Sequence, residues 1–142
     1  MDLVLDANVL FAALIREGTT RYIMLHKTPS PLKLYAPPFL LGETFGYISL
    51  LSRKTELPEK EISGFIFDLV SGANVEFVEE WMVGRHVNKA KGLSPDIKDV
   101  PYVATALYKK CGIWSNDKPL KAKGGVAVVD TKELLKLITA IP

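Results

Sequence analysis

The fold of this chain is decided near its start by LVLDANVL, residues 3–10. The apolar run before Asp6 is short, and such a run predicts a buried strand. Residues 9–15 (VLFAALI) then predict a helix packed close to the core. The chain therefore opens with a buried strand, an acidic residue at its end and a helix directly after it.

The same alternation continues along the chain. Further strand patterns occupy residues 34–36, 75–78, 113–115 and 126–129. Helical patterns lie between them, at residues 20–27, 39–51, 59–70, 79–91, 100–110 and 131–139. Strands that alternate with helices predict an α/β protein with a parallel sheet covered by helices. A length of 142 residues suits one domain, which we expect to span residues 1–142.

Composition excludes several classes of protein. Cys111 is the only cysteine, which rules out an internal disulfide framework and favours a reducing compartment. Its simplest role is that of a small buried apolar residue.

No segment approaches the ~20 apolar residues of a membrane span, and the N-terminus lacks a basic leader. We therefore expect a cytoplasmic protein with no membrane contact. A formal charge of +2 is too balanced for a general polyanion binder.

Acidic residues stand where strands end. Asp6 follows the first strand, and Asp117 comes two residues after the strand pattern at 113–115. Ligands of open α/β sheets bind at the carboxyl ends of strands, so both should lie at one edge. Asp99 starts the helix that leads into the later strand. Each of the three could instead be a helix N-cap, worth ~1 kcal/mol. Asp96 is an outer ligand or a loop carboxylate, and we favour the loop.

Glu43 is harder to explain by local structure. It is the only charged residue between Pro38 and Leu51. Burying a carboxylate costs several kcal/mol unless it is paired or bound to a metal, and its own helix offers no partner. A hard divalent cation shared with Asp6, Asp99 and Asp117 would remove the repulsion among these carboxylates. Mg²⁺ and Mn²⁺ prefer such oxygen ligands.

Other polar residues near these positions have supporting roles or none. Asn8 and Ser115 could orient a carboxylate by hydrogen bonds from outside the ligand shell. Lys118 and Lys121 follow Asp117 and could contact a substrate backbone, although solvated lysines explain the pattern better. The histidines, His26 and His86, lie in helical stretches far from the acidic motifs, so zinc is not expected.

Four segments together resemble the PIN-domain family. They are LVLDANVL (residues 3–10), Glu43 on its apolar helix, DVPYVATA (residues 99–106) and WSND (residues 114–117). The resemblance implies a three-layer α/β/α sandwich with a central parallel sheet. It gives the acidic catalytic and metal-binding roles to Asp6, Glu43, Asp99 and Asp117, with polar support from Asn8 and Ser115. Ser115 replaces the threonine more often seen there and keeps the hydroxyl.

The resemblance also implies a function. The family's usual activity is metal-dependent cleavage of single-stranded or structured RNA, which implies Mg²⁺ or Mn²⁺ here, and many members are VapC-type toxins of toxin–antitoxin pairs. Members commonly dimerise. We therefore expect a metal-dependent endoribonuclease with an RNA substrate, an antitoxin partner and a homodimeric state.

Three alternatives remain open at this point. The first is a PIN-like module that binds RNA or protein without cutting, although the presence of every acidic position argues against it. The second is a haloacid-dehalogenase-like phosphatase, whose opening motif is similar to residues 6–9. That chemistry needs a second acid where Asn8 stands, because an amide cannot donate the proton. The third is a response-regulator receiver, which needs adjacent acids after the first strand and a lysine after a later one.

Overall fold

The sheet is parallel throughout, as the sequence predicts. A computed structural model of the protein describes residues 1–26 and 31–140. Its five strands lie in the order β3-β2-β1-β4-β5. Their bounds are β1 (Asp2–Leu5), β2 (Lys33–Ala36), β3 (Glu76–Phe77), β4 (Gly112–Trp114) and β5 (Val128–Val129).

Helices connect these strands and cover the sheet. Within the described residues they are α1 (Ala7–Ile15), α2 (Thr19–His26), α3 (Phe39–Phe45), α4 (Ile48–Thr55), α5 (Glu59–Gly72), α6 (Glu80–Val83), α7 (Val87–Leu93), α8 (Val100–Lys109), α9 (Lys118–Lys123) and α10 (Thr131–Thr139). Short 3-10 turns at Gly84–His86 and Ile97–Asp99 precede α7 and α8. No helix in this part of the chain is long and apolar enough to cross a membrane.

The central strand β1 is buried because the apolar run of the opening motif lies between two neighbours. Leu3, Val4 and Leu5 are all buried. Val4 is in register with Tyr35 of β2, and Leu5 with Trp114 of β4. The chain builds β2 and β3 on one side of β1 and later returns to build β4 and β5 on the other. The carboxyl ends of β1 and β4 therefore border the point where the strand order reverses, which is where α/β sheets bind ligands.

The layers form an α/β sandwich. Helix α8 packs against β1, β2 and β4, and α6 and α7 pack beside it. Helix α1 contacts α2, α3, α4 and α5 in a separate group. The buried core is continuous and apolar, with Trp114 and Tyr102 among its largest fully buried side chains. The predicted fold class is confirmed.

Several predicted helix boundaries are wrong, and glycine explains two of them. The helix predicted for residues 39–51 is two helices, α3 and α4, because the backbone tightens at Gly46 and Tyr47. Tyr47 N donates to Thr44 O, an i+3 hydrogen bond that ends α3 and turns the chain. The helix predicted for residues 79–91 is likewise divided by a 3-10 turn that begins at Gly84. Glycine disfavours a continuous helix.

Helix α8 ends earlier than predicted. The residue at its end is Lys110, which has a left-handed backbone with φ of 55°, a conformation that glycine usually supplies. Gly112, which we expected to end this helix, lies inside β4. A side chain there would place Cβ 2.9 Å from Ala127 O, so the close approach of the neighbouring chain explains the glycine.

Other differences are small. Strands β3 and β5 are shorter than the predicted runs at 75–78 and 126–129, and α9 was not predicted. The predicted helix at residues 20–27 corresponds to α2, and α10 has the predicted bounds. Lys27, the last residue of that predicted helix, lies outside the described residues, as do residues 28–30 of the segment TPSP (residues 28–31) that is predicted to break it.

Candidate functional site

The acidic residues predicted from the sequence line one cavity at the carboxyl edge of β1 and β4. We call it the acidic cavity; its volume is about 190 Å³. Its lining comprises Asp6, Ala7, Asn8, Glu43, Asp96, Lys98, Asp99, Tyr102 and Asp117. These residues come from the ends of β1 and β4, from α3, and from the turn that enters α8. Sequence positions more than 100 residues apart are therefore brought together by the parallel sheet.

Asp6 is buried and held by three donors. Its Oδ1 accepts from Ala7 N at 2.8 Å, and its Oδ2 accepts from Ser115 Oγ at 2.6 Å and Asn8 Nδ2 at 3.2 Å. Burial raises the pKa of Asp6 from 3.8 to about 6, although hydrogen bonds from Ser115 and Ala7 oppose the rise. The charges of Asp99 and Glu43 raise this pKa further. The carboxylate form of Asp6 is thus costly, and a nearby cation would stabilise it.

Asp99 is also buried, with 8% of its surface exposed. Its Oδ2 accepts from Asp96 N at 3.2 Å, so it closes the turn before α8 and does not cap α8 with its side chain. Burial raises the pKa of Asp99, and the charge of Asp117 adds to this. Asp96 is exposed and caps the same turn by accepting from Lys98 N at 2.9 Å. Asp96 thus has the loop role that we favoured, although it also borders the cavity.

Asp117 combines the two roles that the sequence left open. Its Oδ1 accepts from Leu120 N at 3.4 Å and caps α9. Its own backbone N donates to Ser115 Oγ at 3.0 Å. Asp6 likewise is the N-cap of α1. Asp6 and Asp117 can therefore each cap a helix and also line the acidic cavity, because both helices begin at the edge where the strands end.

The charge of Glu43 is compensated differently from what the sequence predicts. Glu43 is half-buried, and it has a partner from outside its helix. Tyr102 Oη donates to Glu43 Oε1 at 2.7 Å. A shared cation is therefore not the only compensation for this carboxylate. The buried Tyr102 ring packs edge-on against Phe39, with centroids 6.1 Å apart, and this contact fixes the hydroxyl.

The predicted supporting residues form a hydrogen-bond network. Ser115 Oγ accepts from Asn8 Nδ2 at 3.1 Å while it donates to Asp6. Asn8 Oδ1 accepts from Asn116 N at 3.2 Å, and Asn116 Oδ1 accepts from Thr131 N at 2.9 Å. This network joins the ends of β1 and β4 to the start of α10. It orients the Oδ2 side of the Asp6 carboxylate.

Sequence reasoning missed Tyr102 and Asn116. Tyr102 lies three residues after Asp99, and residues at this spacing share a face of a helix. That spacing was a usable signal. Asn116 lies within the quoted WSND segment, but its link to Thr131 depends on the packing of α10.

The predicted lysines border a second cavity beyond Asp117, of about 510 Å³, which we call the basic cavity. Lys118, Lys121 and Lys132 line it together with Asp117 and Ser115. Lys121 is paired with Asp130 and Glu133. Lys118 and Lys132 are exposed and form no ion pair among the described residues. A substrate phosphate would thus meet Lys118 and Lys132 more freely than Lys121.

The remaining chemically distinctive side chains lie elsewhere. Cys111 is half-buried, and burial raises the pKa of its thiol to about 11, which leaves it protonated and unreactive at neutral pH. His26 stacks on Tyr22, and His86 meets Tyr108 edge-on. Neither histidine borders the acidic cavity.

The donor set of the acidic cavity fits a hard divalent cation. Its carboxylates supply oxygen ligands and an excess of negative charge, the combination that Mg²⁺ and Mn²⁺ prefer. Across residues 1–26 and 31–140, no group of three or more histidine, cysteine or carboxylate side chains could hold a metal ion in its present arrangement. Binding would therefore require these carboxylates to turn towards a common point.

Comparisons with known proteins agree with this architecture. The crystal structure of PAE2754 from Pyrobaculum aerophilum is similar with a TM-score of 0.70 and 18% identity, over 99% of this chain and 90% of that one. VapBC2 from Rickettsia felis, bound to a DNA fragment from its promoter, is similar with a TM-score of 0.62 and 16% identity, over 92% and 98% of the two chains.

At these identities the likeness concerns the fold alone. No curated protein matches the sequence. The sequence model of the family described as PIN domain matches residues 4–139, nearly the whole chain. This chain is therefore a member of the PIN-domain family.

Proposed function

We propose that this protein is a metal-dependent endoribonuclease that hydrolyses RNA phosphodiester bonds, and that one domain spanning residues 1–142 performs this reaction. PIN domains are generally nucleases that use divalent metal ions. The observation that carries the proposal is the convergence of Asp6, Glu43, Asp99 and Asp117 on one cavity. These carboxylates come from separate elements. Two of them, Asp6 and Asp99, are buried, and burial raises their pKa values.

In this proposal the acids divide into two roles. Asp6, Asp99 and Asp117 would hold Mg²⁺ or Mn²⁺ directly. Glu43 would bind the ion or orient a water molecule beside it. When bound, such an ion supplies an activated water and neutralises charge that develops on the phosphate.

The neighbouring residues keep these acids in position. Ser115 and Asn8 donate to Asp6 Oδ2 and orient its carboxylate. Tyr102 does the same for Glu43. Lys118 would contact the substrate backbone without reading its sequence, whereas Lys121 would first have to leave its acidic partners.

Three further expectations belong to the same proposal. VapBC2 is a complex bound to promoter DNA, and we propose by analogy that this chain is the toxin of a toxin–antitoxin pair. A small neighbouring gene with a DNA-binding pattern, whose product co-purifies with this chain, would support that role. The homodimeric state and the cytoplasmic location stay predictions, and sedimentation analysis would test the first.

The proposal is tested by incubating pure protein with a mixed pool of labelled RNAs. Reactions with Mg²⁺ or Mn²⁺ are compared with reactions in chelator. Asp6→Asn protein controls for contaminating nucleases, since a contaminant would survive the substitution. We expect metal-dependent cutting by the wild type and a loss of at least 100-fold in Asp6→Asn, as for removal of a group that stabilises the transition state.

The other outcomes separate the alternatives. Equal cutting by wild type and Asp6→Asn would assign the activity to a contaminant. RNA binding with no cutting under any metal condition would favour the non-cleaving PIN-like module and contradict the nuclease proposal.

A further inference from the structure

A third cavity shares part of its lining with the acidic cavity. We call it the aromatic cavity; its volume is about 380 Å³, and it is lined by Ala7, Asn8, Phe11, Glu43, Thr44, Tyr47 and Leu50. It shares Ala7, Asn8 and Glu43 with the acidic cavity. The basic cavity shares Asp117 with the acidic cavity and shares no lining residue with the aromatic cavity. The acidic cavity is therefore the one that borders both of the others.

The walls of the aromatic cavity suit a flat, uncharged group. The rings of Phe11 and Tyr47 meet nearly at right angles, at 83°, with centroids 5.8 Å apart. Tyr47 is 45% exposed, so part of its ring is free to contact a ligand. Among the described lining residues Glu43 alone is charged, and Tyr102 already donates to it. A phosphate would find no cation here.

We propose that the aromatic cavity is a nucleobase-binding site for the nucleotide next to the bond that is cut. This inference rests on the proposed nuclease function. A base is covalently tied to its phosphate, so a phosphate held among the acids keeps its base within reach of an adjoining cavity. Nucleobases stack on aromatic rings with little dependence on their identity. The volume lies within the range of ligand pockets, roughly 300–1,000 Å³.

The arrangement implies which form of RNA is cut. A base can enter the aromatic cavity only if it leaves its own stack, which single strands and loops allow and continuous duplexes resist. The backbone would then run from the aromatic cavity across the acids towards Lys118 and Lys132. The substrate is thus a single-stranded segment with one base held apart from its neighbours.

Removing the base tests this site directly. The cut position is first mapped in an unstructured RNA oligonucleotide, and the nucleotides on either side are then replaced singly by abasic ones. We expect the kcat/KM of the wild type to fall on the order of ten-fold at one of these positions, the value of one base–aromatic stack.

The matching protein variant is Tyr47→Leu, which keeps apolar volume beside Phe11 and removes the flat ring. We expect Tyr47→Leu protein to cut the complete RNA on the order of ten-fold more slowly than the wild type does. On the abasic RNA the variant and the wild type should cut at the same rate. Tyr47→Phe should retain the preference for the base. Tyr22→Leu is the control, because Tyr22 is an exposed tyrosine that lines none of these three cavities.

A readout without cleavage separates this inference from the nuclease proposal. Asp6→Asn protein is mixed with an unstructured RNA that carries 2-aminopurine at each position in turn, which requires no mapped cut site. Stacking on Tyr47 should quench its fluorescence, and the quenching should be absent in the Asp6→Asn, Tyr47→Leu double variant. If wild-type protein cuts no RNA but this quenching is seen, the nuclease proposal fails and the base site stands.

Two results would overturn the base site. One is a wild-type enzyme that cuts abasic and complete RNA equally at both positions. The other is a Tyr47→Leu variant whose kcat/KM falls by the same factor on complete and on abasic RNA. That result would assign this face to a protein partner or to the shape of the acidic cavity.

Discussion

Asp6 accepts hydrogen bonds from Ala7, Asn8 and Ser115, and its pKa is nevertheless about 6. Because this value lies above the ordinary 3.8, the folded chain binds the proton more tightly than the unfolded chain. The free energy of unfolding of the metal-free protein therefore falls as the pH rises from about 4 to about 6. Above about pH 6, the raised pKa of Asp6 lowers the free energy of unfolding by roughly 3 kcal/mol in total.

Replacing Asp6 by asparagine should remove this cost. At pH 7.5 and without metal, we expect Asp6→Asn protein to be as stable as the wild type or more stable, by up to about 3 kcal/mol. The advantage should disappear near pH 4, where the wild-type carboxyl is also neutral. Asparagine remains a good N-cap for α1. Urea denaturation at the two pH values measures the difference.

Asp130→Asn is the matched control, because Asp130 caps α10 but does not line the acidic cavity. It should gain no stability at pH 7.5. If Asp6→Asn instead loses stability equally at both pH values, no pH-dependent repulsion acts on Asp6 and the crowding of acids has been overstated.

Tyr102 provides a second test at the scale of single residues. Tyr102→Phe removes the hydroxyl that donates to Glu43 and keeps the ring against Phe39. We expect a stability loss of about 1.5–3 kcal/mol, typical of one hydrogen bond to a charged group. Mn²⁺ affinity, measured by titration calorimetry, should also fall several-fold because Glu43 is no longer oriented. Unchanged Mn²⁺ affinity would show that the contact is structural only.

At the scale of elements, the end of α8 is strained. Lys110 has a φ of 55°, a backbone conformation that is energetically less favourable for lysine than for glycine. We expect Lys110→Gly to raise the free energy of unfolding by about 0.5–1 kcal/mol, measured by thermal or urea denaturation. Lys54→Gly, inside α4, should instead lower it by about 1 kcal/mol. A loss at Lys110 comparable to the loss at Lys54 would contradict this interpretation.

Elements with local signals were predictable from the sequence, and elements set by packing were not. Helix α10 has the predicted bounds because Asp130 and Glu133 form a capping box at its start. The division between α3 and α4 was missed, since the two glycines of this apolar run, Gly42 and Gly46, do not show where the chain will turn. The residue with a left-handed backbone at the end of α8 is Lys110. Lysine does not favour this conformation, so the amino-acid sequence does not indicate that the helix ends there.

The same distinction applies to the candidate site. Asp6 and Asp117 could be placed because each follows a strand, and parallel strands end at one edge of the sheet. The surroundings of Glu43 could not be predicted, because its partner Tyr102 is 59 residues away and reaches it through the packing of α8. Strand order was also beyond the sequence, since hydrophobic patterns identify strands without naming their neighbours.

At the scale of the whole molecule, the parallel sheet explains why the acids meet. The chain leaves β1 in one direction and returns on the other side at β4, so Asp6 and Asp117 border the same reversal of strand order. The buried core supports this edge on both faces of the sheet. In the proposed function, a bound cation would recover the stability lost by crowding carboxylates there, and saturation at 100 times Kd would contribute roughly 2.7 kcal/mol.

The central claim, that these acids jointly hold a divalent cation, is tested most directly by Mn²⁺ titration calorimetry. Wild-type protein at pH 7.5 should bind Mn²⁺, and Asp6→Asn, Asp99→Asn and Asp117→Asn should each weaken binding by at least ten-fold. Asp130→Asn should bind as the wild type does, and wild-type affinity should fall below pH 6 as Asp6 is protonated. Wild-type protein that binds no Mn²⁺, or variants that bind it equally well, would contradict the account.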